Sequence, residues 1–179
     1  MNASVNEILA RTPPWVFVLF AYLLWIGVTR LRPSVQMLGK VWITPLIFVC
    51  WGLAGLSKRH GEFGYVLPHW AMGAVIGGAL GLLGGMTLTV DRPRQLVLLR
   101  GSIMPLVRLM LIFGAHYALQ VAAALHPDER TTLLIWDIYV SGASTGYFIG
   151  WSARFLQSYR KAPQADLAPV VSLKGTSLR

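Results

Sequence analysis

The sequence predicts an all-α membrane protein, a five-helix transmembrane bundle with a short cytoplasmic β-hairpin between helices three and four. Three observations carry this. First, 55% of the 179 residues are hydrophobic and 13% charged, about half the charge of a soluble domain, so the chain lacks the polar residues to cover a water-facing surface. Second, five apolar runs, 12–29, 41–57, 63–90, 109–127 and 131–153, are each about long enough to cross the hydrocarbon, and only Asp137 interrupts the last. Third, the basic residues alternate in density between successive loops.

The first run opens at Thr12-Pro13-Pro14, whose prolines suit a helix start, and Val5 to Ala10 before it reads as a short interfacial turn. That preceding segment lacks a basic n-region, so the run reads as a retained helix rather than a secretory signal. The second run carries Pro45 in its first turns. The third is longer than a bilayer needs, so its helix is expected over about 66–86. The fourth begins near Ser102, which can cap it, and takes Arg108 inside. The fifth runs from 131 to 153. Residues 1–160 therefore form one transmembrane domain, and 161–179, polar and containing Pro163 and Pro169, read as a disordered cytoplasmic tail.

Between helices three and four, Thr87-Leu88-Thr89-Val90 and Gln95-Leu96-Val97-Leu98-Leu99 flank Asp91-Arg92-Pro93-Arg94. Two β-favouring runs around a proline turn read as a hairpin lying against the membrane face.

Summing Lys and Arg over alternate loops places eleven on one side and four on the other, with Arg108 left inside the fourth helix. The denser side should be cytoplasmic, which puts the N-terminus outside and the C-terminus inside. Tryptophans agree: Trp15, Trp70 and Trp136 fall at the expected outer helix ends, Trp42 and Trp151 near inner ones. The net charge of +9 is then explained by orientation and by anionic lipids at the cytoplasmic face, with no call for nucleic acid.

Packing motifs are the most specific signal. Gly73, Gly77, Gly81 and Gly85 repeat every four residues on helix three, and Gly142, Gly146 and Gly150 do so on helix five. Such faces let backbones approach closely. Both helices run from outside to inside, so the two seams can meet in parallel within one chain; the rival is a homodimer through helix three.

Ionisable residues at membrane depth are the candidate site. Arg108, Ile112, His116 and Gln120 share one face of helix four; Asp137, Ser141, Ser144 and Ser152 share one of helix five. At about 1.5 Å per residue, Asp137 and His116 lie at depths of roughly 9 and 15 Å from the outer side, close enough to meet. His69 can join Asp137 from helix three. Arg108, in the inner half, is expected to reach for the cytoplasmic headgroups. A buried hydrogen bond that orients two helices is the plainer reading of His116 and Asp137; a proton-accepting, metal-contacting or haem-contacting site built from these two with His69 is the sharper one. No paired metal-ligand spacing, nucleotide loop or nucleophile with its base occurs, so no catalytic residue, metal or cofactor is assigned. Cys50 is the single cysteine, which excludes an intrachain disulfide. His60 and His126 read as loop residues.

With the elements in order, the chain resembles a family of small uncharacterised bacterial inner-membrane proteins, a domain of unknown function. The likeness rests on Arg30-Leu31-Arg32-Pro33, Trp42-Ile43-Thr44-Pro45-Leu46, the glycine-rich third helix, Val90-Asp91-Arg92, Arg100-Gly101-Ser102, and Ser141-Gly142 to Gly146. It spans roughly residues 8 to 160 and implies a multi-pass protein of the bacterial inner membrane. The layout is also similar, more loosely, to membrane accessories of cytochrome c biogenesis, which would imply a haem or redox setting.

The leading expectation is a non-enzymatic membrane component that works through helix packing and partner binding, with a second copy or another membrane protein as partner. The alternatives are a small transporter or channel with a polar path along helices four and five, and a haem- or redox-associated accessory.

Overall fold

The computed structural model describes residues 12–57 and 63–169. The expected turn at Val5 to Ala10, His60 with its neighbours, and the tail from 170 lie outside the described residues.

Five α-helices and three short strands make up the described chain: α1 (Pro14–Thr29), β1 (Ser34–Met37), α2 (Leu38–Ser57), α3 (Phe63–Leu83), β2 (Leu88–Asp91), β3 (Leu96–Leu99), α4 (Met104–Leu125) and α5 (Arg130–Lys161). A 3-10 turn, Pro127–Glu129, joins the last two. Three helices, α2, α3 and α4, are long and apolar enough to cross a membrane. Helix α1 is apolar but has 16 residues. Helix α5 is longer and more polar, with 32 residues and a length of about 48 Å.

Helix α5 is the hub. It packs on α2, α3 and α4, while α1 leans chiefly on α4. The tightest contact joins α3 to α5, and glycine makes it. A Cβ on Gly73 would overlap the Tyr139 carbonyl, one on Gly77 that of Ala143, and one on Gly81 that of Tyr147. Reciprocally, Gly142, Gly146 and Gly150 leave room for the carbonyls of Trp70, Ala74 and Gly78. Partner numbers rise together along both helices, so they cross in parallel. Both glycine faces are filled within one chain. Gly85 departs from the expected seam: α3 spans 63–83 rather than 66–86, so Gly85 lies past its end and nothing stands within 4 Å of a Cβ there.

At one end of the bundle sits a three-stranded antiparallel sheet in the order β1-β3-β2. The hairpin joins β2 to β3 through a turn closed by Gln95 N–H to Arg92 C=O at 3.1 Å, with Gln95 at a left-handed φ of 53°. Strand β1, between α1 and α2, pairs with β3 from Ser34↔Leu99 to Met37↔Leu96. It was not expected from the sequence. Its effect is to start α2 at Leu38, so Pro45 stands two turns inside the helix rather than in its opening turns. There it removes the ladder bond to the Val41 carbonyl.

The sheet is held by a cluster of Val41, Leu88, Val90, Val97, Phe155 and Ala162, with Trp42 and Trp151 packed against it. Phe155, near the end of α5, is wholly buried and meets Trp42 edge-on at a centroid distance of 5.6 Å. Where the sequence suggested disorder from 161, the chain instead turns back along the sheet as far as Leu167. Val90 N–H donates to Pro163 C=O at 3.1 Å and Ala165 N–H to Val90 C=O at 3.0 Å, covering the free edge of β2. Leu167 of this strap is buried.

Asp91 anchors the strap. Its Oδ2 accepts the Leu167 N–H at 3.2 Å, its Oδ1 accepts the Arg94 N–H at 3.3 Å, and Arg94 also pairs with Asp166. Burial alone would push the Asp91 carboxyl up; the two backbone N–H bonds and the Arg94 guanidinium outweigh it and hold it below its ordinary value.

Candidate functional site

The polar faces of α4 and α5 meet as their spacing suggested. His116 Nδ1 lies 2.6 Å from Asp137 Oδ1, and Gln120 Nε2 donates to Asp137 Oδ2 at 3.0 Å. His116 and Gln120 are one turn apart on α4, so a single carboxylate on α5 collects both. The 2.6 Å separation leaves room for one shared proton between the His116 ring and the Asp137 carboxyl. The Asp137 residue is buried, and its side chain is 12% exposed against 34% for His116.

The Arg108 guanidinium lies against three rings of α5, with centroids of Tyr147, Phe148 and Trp151 at 5.1, 5.2 and 5.6 Å. Its Nη1 donates to the Tyr147 hydroxyl at 3.1 Å. A weakly hydrated planar cation stacks well on aromatic faces, and three of them lie within one turn of α5. Its Nε is buried without a hydrogen-bond partner. Arg108 therefore forms a second polar contact between α4 and α5, separate from the His116–Asp137 pair.

His69 does not join Asp137. Its Nδ1 donates to the Tyr65 carbonyl one turn earlier at 2.7 Å, and its ring lies between those of Tyr65 and Tyr139. Among the described residues no three His, Cys, Asp or Glu side chains gather where a metal ion could be held.

Beside the His116–Asp137 pair opens a cavity of ≈ 700 Å³, bounded by α1 and α4 on one side and α2, α3 and α5 on the other. Most of its wall is apolar, including Val16, Leu19, Phe48, Leu109, Ile112 and Phe113. The polar groups on it are His116, Gln120, Asp137, Ser141, Ser144, Thr145 and the Thr12–Tyr117 pair, whose hydroxyls are 2.7 Å apart. The cavity exists because α1 leans on α4 and α2 on α5, leaving a wedge between the two pairs. At that wedge α2 approaches α5 closely through Gly52, where a Cβ would overlap Thr145 Oγ1. Sequence spacing located the polar pair but not this space, which depends on how two helices lean.

A smaller pocket of ≈ 290 Å³ lies at the sheet end, lined by Thr87, Arg154, Gln157, Ser158 and Lys161 among others. Residues 154, 157, 158 and 161 share one face of α5, so two cations and two uncharged polar side chains converge.

No family model matches the chain, and no curated protein or solved structure matches it.

Proposed function

We propose that this is a five-span protein of the bacterial inner membrane, N-terminus outside and sheet end cytoplasmic, acting without catalysis as a binding component that holds a membrane-soluble amphipathic molecule between its helices. The ≈ 700 Å³ cavity beside His116 and Asp137 carries the reading. Its size falls within the range of small-molecule sites, and an apolar wall with a few convergent polar groups is how such sites are built.

The membrane reading is supported by the outward faces of the helices. Val75, Leu111 and Leu83 are 73%, 68% and 78% exposed, and large apolar side chains surround them on α1 to α4. An apolar surface of that extent needs lipid or another protein against it. At the sheet end lie Arg30, Arg32, Lys40, Arg92, Arg94, Arg100, Arg154, Arg160 and Lys161, so that end belongs on the cytoplasmic side. Anionic lipid headgroups are the partners that the Arg154–Lys161 pocket suits.

The binding reading is tested by purifying the chain in lipid nanodiscs and identifying co-purifying molecules by native mass spectrometry, beside Gly55→Phe. Gly55 lines the cavity, and nothing stands within 4 Å of a Cβ there, so phenylalanine can fill the space without displacing backbone. A bound amphiphile in the wild type that the variant loses supports the proposal. A wild type that carries and takes up no such molecule overturns it. Cysteine labelling at 128 and 166 from either side of the membrane checks the orientation.

A further inference from the structure

We infer that the ≈ 290 Å³ pocket at the sheet end binds a phosphate ester, and that the bound anion fastens residues 162–167 to the edge of β2. This rests on the reading of that pocket as a headgroup site and adds what filling it does.

Three segments meet at the pocket: Thr87 and Leu88 at the entry to β2, Arg154, Ser158 and Lys161 from the last turns of α5, and Pro163 of the strap. Its lining holds two cations and no carboxylate. Among the described residues the carboxylates of this end are Asp91 and Asp166, and Arg94 pairs with both. Arg154 and Lys161 are therefore left without a counter-charge. The Arg154 Nε donates to the Gly84 carbonyl at 3.4 Å, which ties the guanidinium to the end of α3 and leaves its Nη protons without an acceptor among the described residues. Thr87 and Ser158 add hydroxyls. A cation in the last turn of a helix also serves the helix dipole. That accounts for Lys161 but not for Arg154, two turns back. A phosphate accepts from several donors at once and suits a guanidinium beside an ammonium. At roughly 30 Å³ per water-sized group, the space takes a phosphate with the glycerol that carries it.

The coupling runs through Pro163. It lines the pocket, and its carbonyl accepts the Val90 N–H at 3.1 Å, the bond that opens the pairing of the strap with β2. When the strap lifts, the pocket loses that wall. The anion then binds the fastened form more tightly, and by linkage its binding favours that form.

The test places the full-length protein in nanodiscs of phosphatidylcholine with or without phosphatidylglycerol and follows hydrogen exchange at Ala165 and Leu167. Phosphatidylglycerol is expected to slow both about tenfold, the effect of a site filled at about ten times its dissociation constant. Lys161→Gln, at an exposed side chain, and the double variant Arg154→Gln/Lys161→Gln should each exchange alike in the two lipids. Arg32→Gln/Arg100→Gln removes equal charge outside the pocket and should keep the slowing. Slowing by glycerol 1-phosphate in phosphatidylcholine alone identifies a soluble ester as the ligand; slowing confined to phosphatidylglycerol identifies the lipid. Exchange that no anion slows overturns the inference, and so does slowing that survives in the Arg154/Lys161 variant, since surface charge then suffices. Native mass spectrometry separates the two readings. If the wild type retains phosphatidylglycerol that this variant loses while exchange stays unchanged, the headgroup site stands and the fastening falls. If both retain it equally, the headgroup reading itself fails.

Discussion

Gly77 of α3 lies directly against the backbone carbonyl of Ala143 on α5, with no room for a Cβ between them. Gly146 makes the same contact in return with the carbonyl of Ala74. Two helices each lacking side chains where the other's backbone arrives gain dispersion contact along their length, which is what holds helices together when the surroundings are as apolar as they are.

Leucine at Gly77 or Gly81 must therefore drive the two backbones apart. Each is expected to insert into the membrane normally, since apolarity rises, yet to lower the melting temperature in detergent by roughly 5–10 °C. Leu82→Ala, at a position 45% exposed, and Gly85→Ala, beyond the seam, should change it far less. Glycine variants that melt like the wild type would remove the seam from the account of stability.

His116→Leu leaves the Asp137 carboxylate with Gln120 as its remaining side-chain partner. A loss of about 1–3 kcal/mol is expected, the cost of a buried acceptor stripped of its donor. The double variant His116→Leu/Asp137→Leu should recover most of that, because replacing both partners by apolar groups removes the desolvation cost as well. A thermal or denaturant double-mutant cycle reads this out, and additive losses would contradict it.

Arg108 is held by shape as much as by charge. Arg108→Lys keeps the charge but loses the plane that lies on Tyr147, Phe148 and Trp151, so it should destabilise nearly as much as Arg108→Met. Tyr147→Phe loses the 3.1 Å hydrogen bond and keeps a ring; its effect should be smaller, about 1 kcal/mol. A lysine variant as stable as the wild type would mean that the rings contribute little.

The strap over the sheet should respond to acid. Asp91 has its carboxyl held below its ordinary value in the folded chain, so its contribution is fully present above that ordinary value. It is lost as the pH falls from there through the lower folded value. Hydrogen exchange at Ala165 and Leu167 should rise across that interval, and Asp91→Asn should show the raised exchange already at neutral pH. Unchanged protection in the asparagine variant would show that the backbone pairing of Val90 suffices alone.

Much of this was legible along the chain because it depends on local period. Glycine every four residues announces a close helix contact, and the spacing of Arg108, Ile112, His116 and Gln120 announces a polar face. The hairpin could be read from its Pro-containing turn. Strand β1 could not: Ser34-Val35-Gln36-Met37 is four residues without a turn of its own, and it becomes a strand only because β3 offers a free edge. Tyr147 gave no signal either, since an aromatic residue on an apolar helix reads as ordinary packing.

What the sequence determined by itself is the number of helices, their approximate limits, and which faces are polar or free of side chains, since each follows from composition and a helical period. The tertiary structure decided the rest. It chose α5 as the partner of α3, turned Arg108 onto α5, kept His69 at home on Tyr65, and laid residues 162–167 along the sheet. It also opened the cavity beside His116 and Asp137. The physical reason is that these outcomes depend on the distance and tilt between elements remote in sequence, and on which hydrogen-bond donor arrives first at a given acceptor, neither of which has a period to read.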